Sequence, residues 1–181
     1  MNREKMSNSH KYIIGCVAAL FAIFLILSCT NTGDNGNADN TEARKIEEKK
    51  MVEYINKICR TKPDEALDLL DKAELTHKMR TVKINLLKVM IYTNAYYDLN
   101  KALDYALKAY NDPSIKNDTL PRITITRTLS TIHYAMSNFS QACAMASEGS
   151  ELAYGIGDQE TLAYFYQYIG FSKYELGDHE D

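Results

Sequence analysis

The sequence predicts an all-α fold, a solenoid of antiparallel helix pairs with about three and a half repeats, from three observations. From residue 42 onward apolar residues recur at helical spacing, and strand-like alternation appears only at Ile123-Thr124-Ile125-Thr126. Turn-forming residues cut this run at Lys62-Pro63, Leu75-Thr76, Asp98, Asp112-Pro113, Asn138 and Gly155-Ile156-Gly157-Asp158. Three of the resulting segments carry small residues at offsets of four and three, so each set lies on one helix face. The sets are Ala66, Leu70 and Ala73; Ala102, Ala106 and Ala109; and Ala142, Ala146 and Gly149.

Composition agrees. The chain has 181 residues, 45% hydrophobic and 25% charged, enough for one ordinary domain. With 8 Gly and 3 Pro it is neither collagen-like nor Pro-rich. A net charge of −3 lacks the basic excess of a nucleic-acid binder, and no nucleic-acid partner is expected.

The first element is an address. Residues 1–11 carry Arg3, Lys5 and Lys11, residues 12–28 are uncharged and apolar, and a polar run follows Cys29. A basic start, an apolar stretch and a small residue before a cut are the parts of a signal peptide. The stretch falls short of the roughly 20 residues that comfortably span a bilayer. Ile26-Leu27-Ser28-Cys29 resembles a bacterial lipobox, with Ile26, Ser28 and Cys29 matching and Leu27 bulkier than usual. The resemblance implies diacylglycerol transfer to the Cys29 thiol and cleavage before it. An uncleaved single-span anchor and a cut elsewhere are the other readings of the same residues. Removing residues 1–28 takes away three basic groups and one acidic group, leaving 18 and 23, so the mature chain carries −5. It is not drawn to anionic lipid heads, and the membrane contact is expected to be the lipid alone. Residues 29–41 read as a lipidated flexible tether too polar to bury a core.

Seven helices are expected, over residues 42–59, 63–75, 79–97, 99–111, 120–137, 139–154 and 159–176. Pro63 and Pro121 suit first helical turns, and the Gly155/Gly157 pair suits a helix end. From Ala66 to Ala102 is 36 residues and from Ala102 to Ala142 is 40. Small residues on those faces let a neighbouring helix come close. The last helix carries Tyr164, Phe165, Tyr166, Tyr168, Ile169, Phe171 and Tyr174, aromatic on every side. Such a face needs covering, so a partner, self-association through this helix or an incomplete C-terminus of the 42–181 domain is expected.

These pairs resemble the tetratricopeptide repeat. The closest stretch is Tyr166, Ile169, Gly170, Tyr174, Leu176, Gly177 and Asp178, with Lys173 standing where the family prefers Tyr. Leu86, Val89, Met90 and Thr93, and then Thr126, Leu129, Ser130 and His133, fit less well. The resemblance implies a concave face lined by first helices. Carried over, its inward positions are Leu87, Ile91 and Asn94, then Arg127, Thr131 and Tyr134, then Gln167, Phe171 and Tyr174. Aromatic, amide and cationic groups together suit an extended protein or peptide ligand, although Tyr134 and Tyr174 can equally pack between repeats. Only Arg127 and Asn94 resemble the carboxylate clamp of chaperone-binding members, so that role is not expected.

Catalytic and metal patterns are not found. His10, His77, His133 and His179 are isolated, and His133 reads as a packed or groove residue. Asp64, Glu65, Asp68 and Asp71 read as a solvated helix start favoured by the dipole, and residues 44–50 as a solvated mixed-charge face. Cys59 and Cys143 either pair or, as favoured here, stay as small packed residues. Asp118-Thr119-Leu120 resembles a short O-glycosylation motif, but a helix N-cap is favoured. No enzyme activity, cofactor or metal is expected. The expected function is that of a lipid-anchored exported scaffold in a bacterial cell envelope, facing the periplasm. The alternative is the front part of a longer regulator, since Pro63-Asp-Glu-Ala66-Leu-Asp-Leu-Leu70-Asp71 resembles the opening repeat of bacterial regulators with a membrane span and a DNA-binding or kinase module. A glycan-binding lipoprotein is a third reading, with Tyr in place of the absent Trp.

Overall fold

The computed structural model describes residues 38–178, with side chains from residue 42. The expected signal segment and Cys29 lie outside the described residues. Within them the fold is all-helical: α1 (Ala38–Ile58), α2 (Pro63–Leu75), α3 (Thr81–Ile91), α4 (Leu99–Tyr110), α5 (Thr119–Ala135), α6 (Phe139–Gly155) and α7 (Gln159–Leu176). A π-helical turn, Tyr92–Tyr96, continues α3, and a 3-10 turn, Pro113–Ile115, precedes α5. Each helix packs on the next in sequence, and α7 also reaches α5. The α1 helix starts at Ala38, inside the stretch expected to be tether.

The punctuation residues do what their chemistry allows. Asp98 and Asp158 accept hydrogen bonds from the backbone N–H of Lys101 (3.0 Å) and Thr161 (3.1 Å), capping α4 and α7. Asp118 occupies the N-cap of α5, but its side chain makes no capping bond. His77, Tyr97, Ser137, Gly157 and Gly177 take left-handed backbone angles, φ 50, 55, 62, 72 and 77. They stand twenty or forty residues apart, so one turn recurs through the chain. Beyond four of them the next N–H reaches back five residues, Lys78 to Ala73, Asn138 to His133, Asp158 to Ala153 and Asp178 to Lys173, at 2.8–3.0 Å.

After α3 the bond instead runs from Asp98 N–H back to the Tyr92 carbonyl, 3.0 Å and six residues. The π turn has inserted one residue. Rings hold it in place. Tyr92 stacks on Tyr105 at 5.5 Å, the Lys101 ammonium lies 5.1 Å from the Tyr92 ring, and the Tyr96 hydroxyl donates to Asp64. That bond pushes the Tyr96 pKa up to about 12.

The Thr-rich start of α5 is helical despite its strand-like pattern. Thr124, Thr126, Thr128 and Thr131 each donate a hydroxyl to the carbonyl four residues back, at 2.7–3.1 Å. These side chains sit buried at no cost in unmade hydrogen bonds.

The core forms where small faces meet. Ala66, Leu70, Ala73, Ala102, Ala106, Ala109, Ala142, Ala146 and Gly149 are all buried. A Cβ added at Gly149 would overlap the Phe165 ring, which is itself fully buried. One charge enters this interior. Lys88 is 5% exposed, and its ammonium meets Asp71 at 2.8 Å and Glu74 at 2.9 Å. Burial alone would lower its pKa, but the two carboxylates outweigh it and the pKa rises. Asp71 is therefore a buried lysine's partner and not only part of a solvated face. Glu48 likewise pairs with Lys83 at 2.5 Å, tying α1 to α3. Cys59 and Cys143 are free thiols, Cys59 buried and Cys143 half-buried.

Ala102 lies at zero exposure on α4, so Ala102→Leu is expected to overpack the interface. The expected cost is roughly 1–3 kcal/mol, read as a lower melting temperature with the helical circular dichroism signal retained. An unchanged melting temperature would contradict the packing described.

Candidate functional site: the aromatic surface of α5 and α7

Where α7 crosses α5, rings and one cation gather. The Arg127 guanidinium lies 3.9 Å from the Tyr164 ring centre, a cation over a π face. The Thr131 hydroxyl lies 2.9 Å from the Arg127 carbonyl and 2.5 Å from the Tyr164 hydroxyl, so the three groups form one hydrogen-bonded chain. Burial, foremost, raises the Tyr164 pKa. Asp158 stands close by. Its pKa is lowered, chiefly by the Thr161 hydroxyl at 2.6 Å and further by the charge of Arg127.

A second set of rings runs toward the surface. Tyr134 lies 5.4 Å from Phe139, 5.7 Å from Tyr168 and 6.1 Å from Phe171, the first two edge-on. Tyr164 and Tyr168, one turn apart on α7, are 4.7 Å apart. The series ends in solvent, with Phe171 46% and Tyr174 68% exposed. Edge-to-face and offset contacts are the arrangements that aromatic pairs prefer.

The nine groove positions divide. Arg127, Thr131, Tyr134 and Phe171 are brought into or beside the α5–α7 contact, with Thr131 buried. Gln167 is exposed on α7, Tyr174 stands farther along the same helix, and Asn94 is half-buried in the π turn. Leu87 and Ile91 are fully buried core residues and leave the set of groove candidates. The physical reason is the residue inserted at Tyr92–Tyr96. Counted back from the following N-cap, it moves the α3 positions before it by one, about 100° around the helix axis, so Leu87 and Ile91 stand where α5 has Thr128 and Ile132, both buried.

The aromatic side chains on every side of α7 divide by what covers them. Tyr164, Phe165 and Tyr168 are covered by α5 and α6, and Tyr166, Phe171, Tyr174 and Leu176 stay exposed. Tyr164, Tyr168 and Phe139 belong to the site yet lay outside the groove set. The repeat of Tyr at 164 and 168, one helical turn apart, is the sequence signal that points to them. Among the described residues no three His, Cys, Asp or Glu side chains gather to hold a metal ion, and no helix is long and apolar enough to cross a membrane.

His133, at the C-terminal end of α5, is half-buried, and its Nδ1 has no hydrogen-bond partner. Burial lowers its pKa. The unfolded chain, with its histidine near about 6.5, therefore binds more protons than the folded one below that pH. Stability should fall as pH drops through the unfolded value toward the lower folded one. His133→Gln should flatten that part of the profile in denaturant titrations between pH 7 and 5. An unchanged slope would show that the imidazole titrates normally.

Set against known proteins, the chain matches no family model, no curated protein and no solved structure.

Proposed function

We propose that this chain is a lipid-anchored exported protein, held in a bacterial envelope through Cys29, that binds a protein or peptide ligand along the α5–α7 surface. Its helices are read as a tetratricopeptide-like stack of pairs. The recurring left-handed turns at Tyr97, Ser137 and Gly177, forty residues apart, support that architecture. So do the buried small faces of α2, α4 and α6.

The observation that carries the binding role is the pre-ordered surface of Arg127, Tyr164, Tyr134 and Phe171. Its side chains are already fixed by ring and hydroxyl contacts. A surface ordered before binding loses less side-chain entropy when a ligand arrives. Aromatic and arginine side chains are also the ones that most often dominate interface energies. On the membrane side, a lipidated Cys29 would hold the domain by two or three acyl chains, since one chain anchors only marginally.

Two experiments test the two halves separately. Cys29→Ala should abolish labelling of the chain by a fatty-acid probe, and labelling that survives would overturn the anchor. A photo-crosslinking residue at Gln167, beside the ordered rings, should give a discrete adduct in cells producing the full chain. The same group at Asp104, exposed on α4, should give none. Equal labelling at both positions would overturn the α5–α7 surface as the binding face.

A further inference from the structure

The α5–α6 turn repeats the closing bond of its neighbours with one difference in chemistry. In the turns after α2, α5, α6 and α7 the carbonyl that takes this bond belongs to Ala73, His133, Ala153 and Lys173. Ala73 and Ala153 are buried, and the Lys173 ammonium reaches Asp178 at 3.9 Å. Of the four, His133 alone is a side chain that can take up a proton between pH 7 and 5.

His133 also stands where the turn meets the ring series. Its carbonyl accepts from Asn138 N–H at 2.8 Å, the Tyr134 carbonyl accepts from Ser137 N–H at 3.0 Å, and Ser137 takes the left-handed φ of 62. These few residues bring Phe139, the first residue of α6, to 5.4 Å from the Tyr134 ring, and Tyr134 in turn meets Tyr168 and Phe171. A left-handed residue with a side chain costs backbone energy. The turn therefore holds only while the packing around it holds.

The imidazole is half-buried, and its Nδ1 is shut off from solvent with no hydrogen-bond partner. A proton makes both ring nitrogens donors and adds a charge. A charge in such a place needs a partner or leaves it. Among the described residues the charged groups on the neighbouring elements are otherwise engaged or exposed. Residues 139–147 of α6 carry no acidic or basic side chain, and the Cys143 thiol is their one titratable group. Glu148 is taken by Arg122 and Tyr110, and Glu151 is exposed. On α4, Lys101 and Lys108 lie over the Tyr92 and Tyr105 rings, and Asp104 is exposed. On α3, Lys88 is held by Asp71 and Glu74. On α7, Glu175 stands at the Tyr134 hydroxyl, Lys173 faces Asp178 and Glu160 is exposed. On α5 itself Arg127 lies on Tyr164. Burial alone shifts the imidazole, and it favours the neutral ring.

We infer that His133 is an acid-sensitive latch on the α5–α6 turn. Neutral, it stays packed and Phe139 lies against Tyr134. Protonated, it leaves its place, the turn opens, and the ring series of the α5–α7 surface loses its contact with Phe139. The proton is bound more tightly by the open turn than by the closed one, so acidification favours opening. A ligand on that surface would be released as the medium turns acidic. That use rests on the binding role proposed above, whereas the latch itself does not.

Amide hydrogen exchange of the full chain in detergent, corrected for the intrinsic effect of pH, reads the latch without any ligand. Protection of the Asn138 and Ala142 amides, which bond to the His133 and Asn138 carbonyls, should fall several-fold from pH 7 to pH 5. The Asp158 amide closes the α6–α7 turn on Ala153 and should keep its protection. The Asp158 carboxylate, held below its ordinary range chiefly by the Thr161 hydroxyl, is still ionised at pH 5. His133→Gln should leave Asn138 and Ala142 equally protected at both pH values. His133→Ala, which copies the other two turns, should do the same and serves if the glutamine variant folds poorly. Equal protection at both pH values in the parent chain would overturn the inference. So would an acid-induced loss that persists in the variants. The photo-crosslink at Gln167 reads the ligand and not the turn, so failure of the binding face and failure of the latch are told apart.

Discussion

Close approach of helices over small side chains is the constraint on which the rest of this structure depends. Where Ala102, Ala106 and Ala109 line α4, and Ala142, Ala146 and Gly149 line α6, neighbouring helices bury these positions. The large residues then come from the other side. Phe165 can be fully buried because Gly149 has no Cβ. Packing at near-crystalline density makes such a fit sensitive to single methyl groups. Once α7 is seated in this way, Tyr164 and Tyr168 reach α5, and the Arg127 and Tyr134 contacts follow. The aromatic surface is thus a consequence of a missing side chain on the opposite helix.

The turns are the second constraint. A left-handed residue followed by a bond back five positions ends four of the helices, and it recurs at multiples of twenty residues. Two glycines take this conformation at Gly157 and Gly177, but His77, Tyr97 and Ser137 take it with side chains attached, which costs backbone energy. The fold accepts that cost where the next helix is well packed. One extra residue in the π turn at Tyr92–Tyr96 breaks the register of α3 relative to α5 and α7. Tyr92 stacked on Tyr105 and Tyr96 bonded to Asp64 are what hold it.

Much of the helix layout was legible because breaks are written in local chemistry. Pro63, Asp98, Asn138 and the Gly155–Asp158 stretch mark ends that the structure places within a few residues. The buried small faces were legible from their spacing. What was hidden depends on where helices lie in space. A π insertion has no sequence signature, so Leu87 and Ile91 looked like groove positions by count and are core residues by rotation. Nothing in the sequence singles out Lys88, yet it is buried between Asp71 and Glu74, partners from another helix. The rings of α7 could be listed from the sequence, but only the tertiary contacts divide Tyr164, Phe165 and Tyr168, which pack against α5 and α6, from Tyr166 and Tyr174, which are largely exposed.

The seating of Phe165 over Gly149 is the central contact of the fold, and a double-mutant cycle measures it. Unfolding free energies would be taken for the parent chain, Gly149→Ala, Phe165→Ala and the pair. Gly149→Ala alone should destabilise, because its methyl group overlaps the ring. In the Phe165→Ala background the same change should cost little or even stabilise α6, since alanine is the better helix former. The two effects should therefore couple by more than about 1 kcal/mol, as residues in direct contact do. Costs that simply add would contradict the contact, and with it the packing that positions α7.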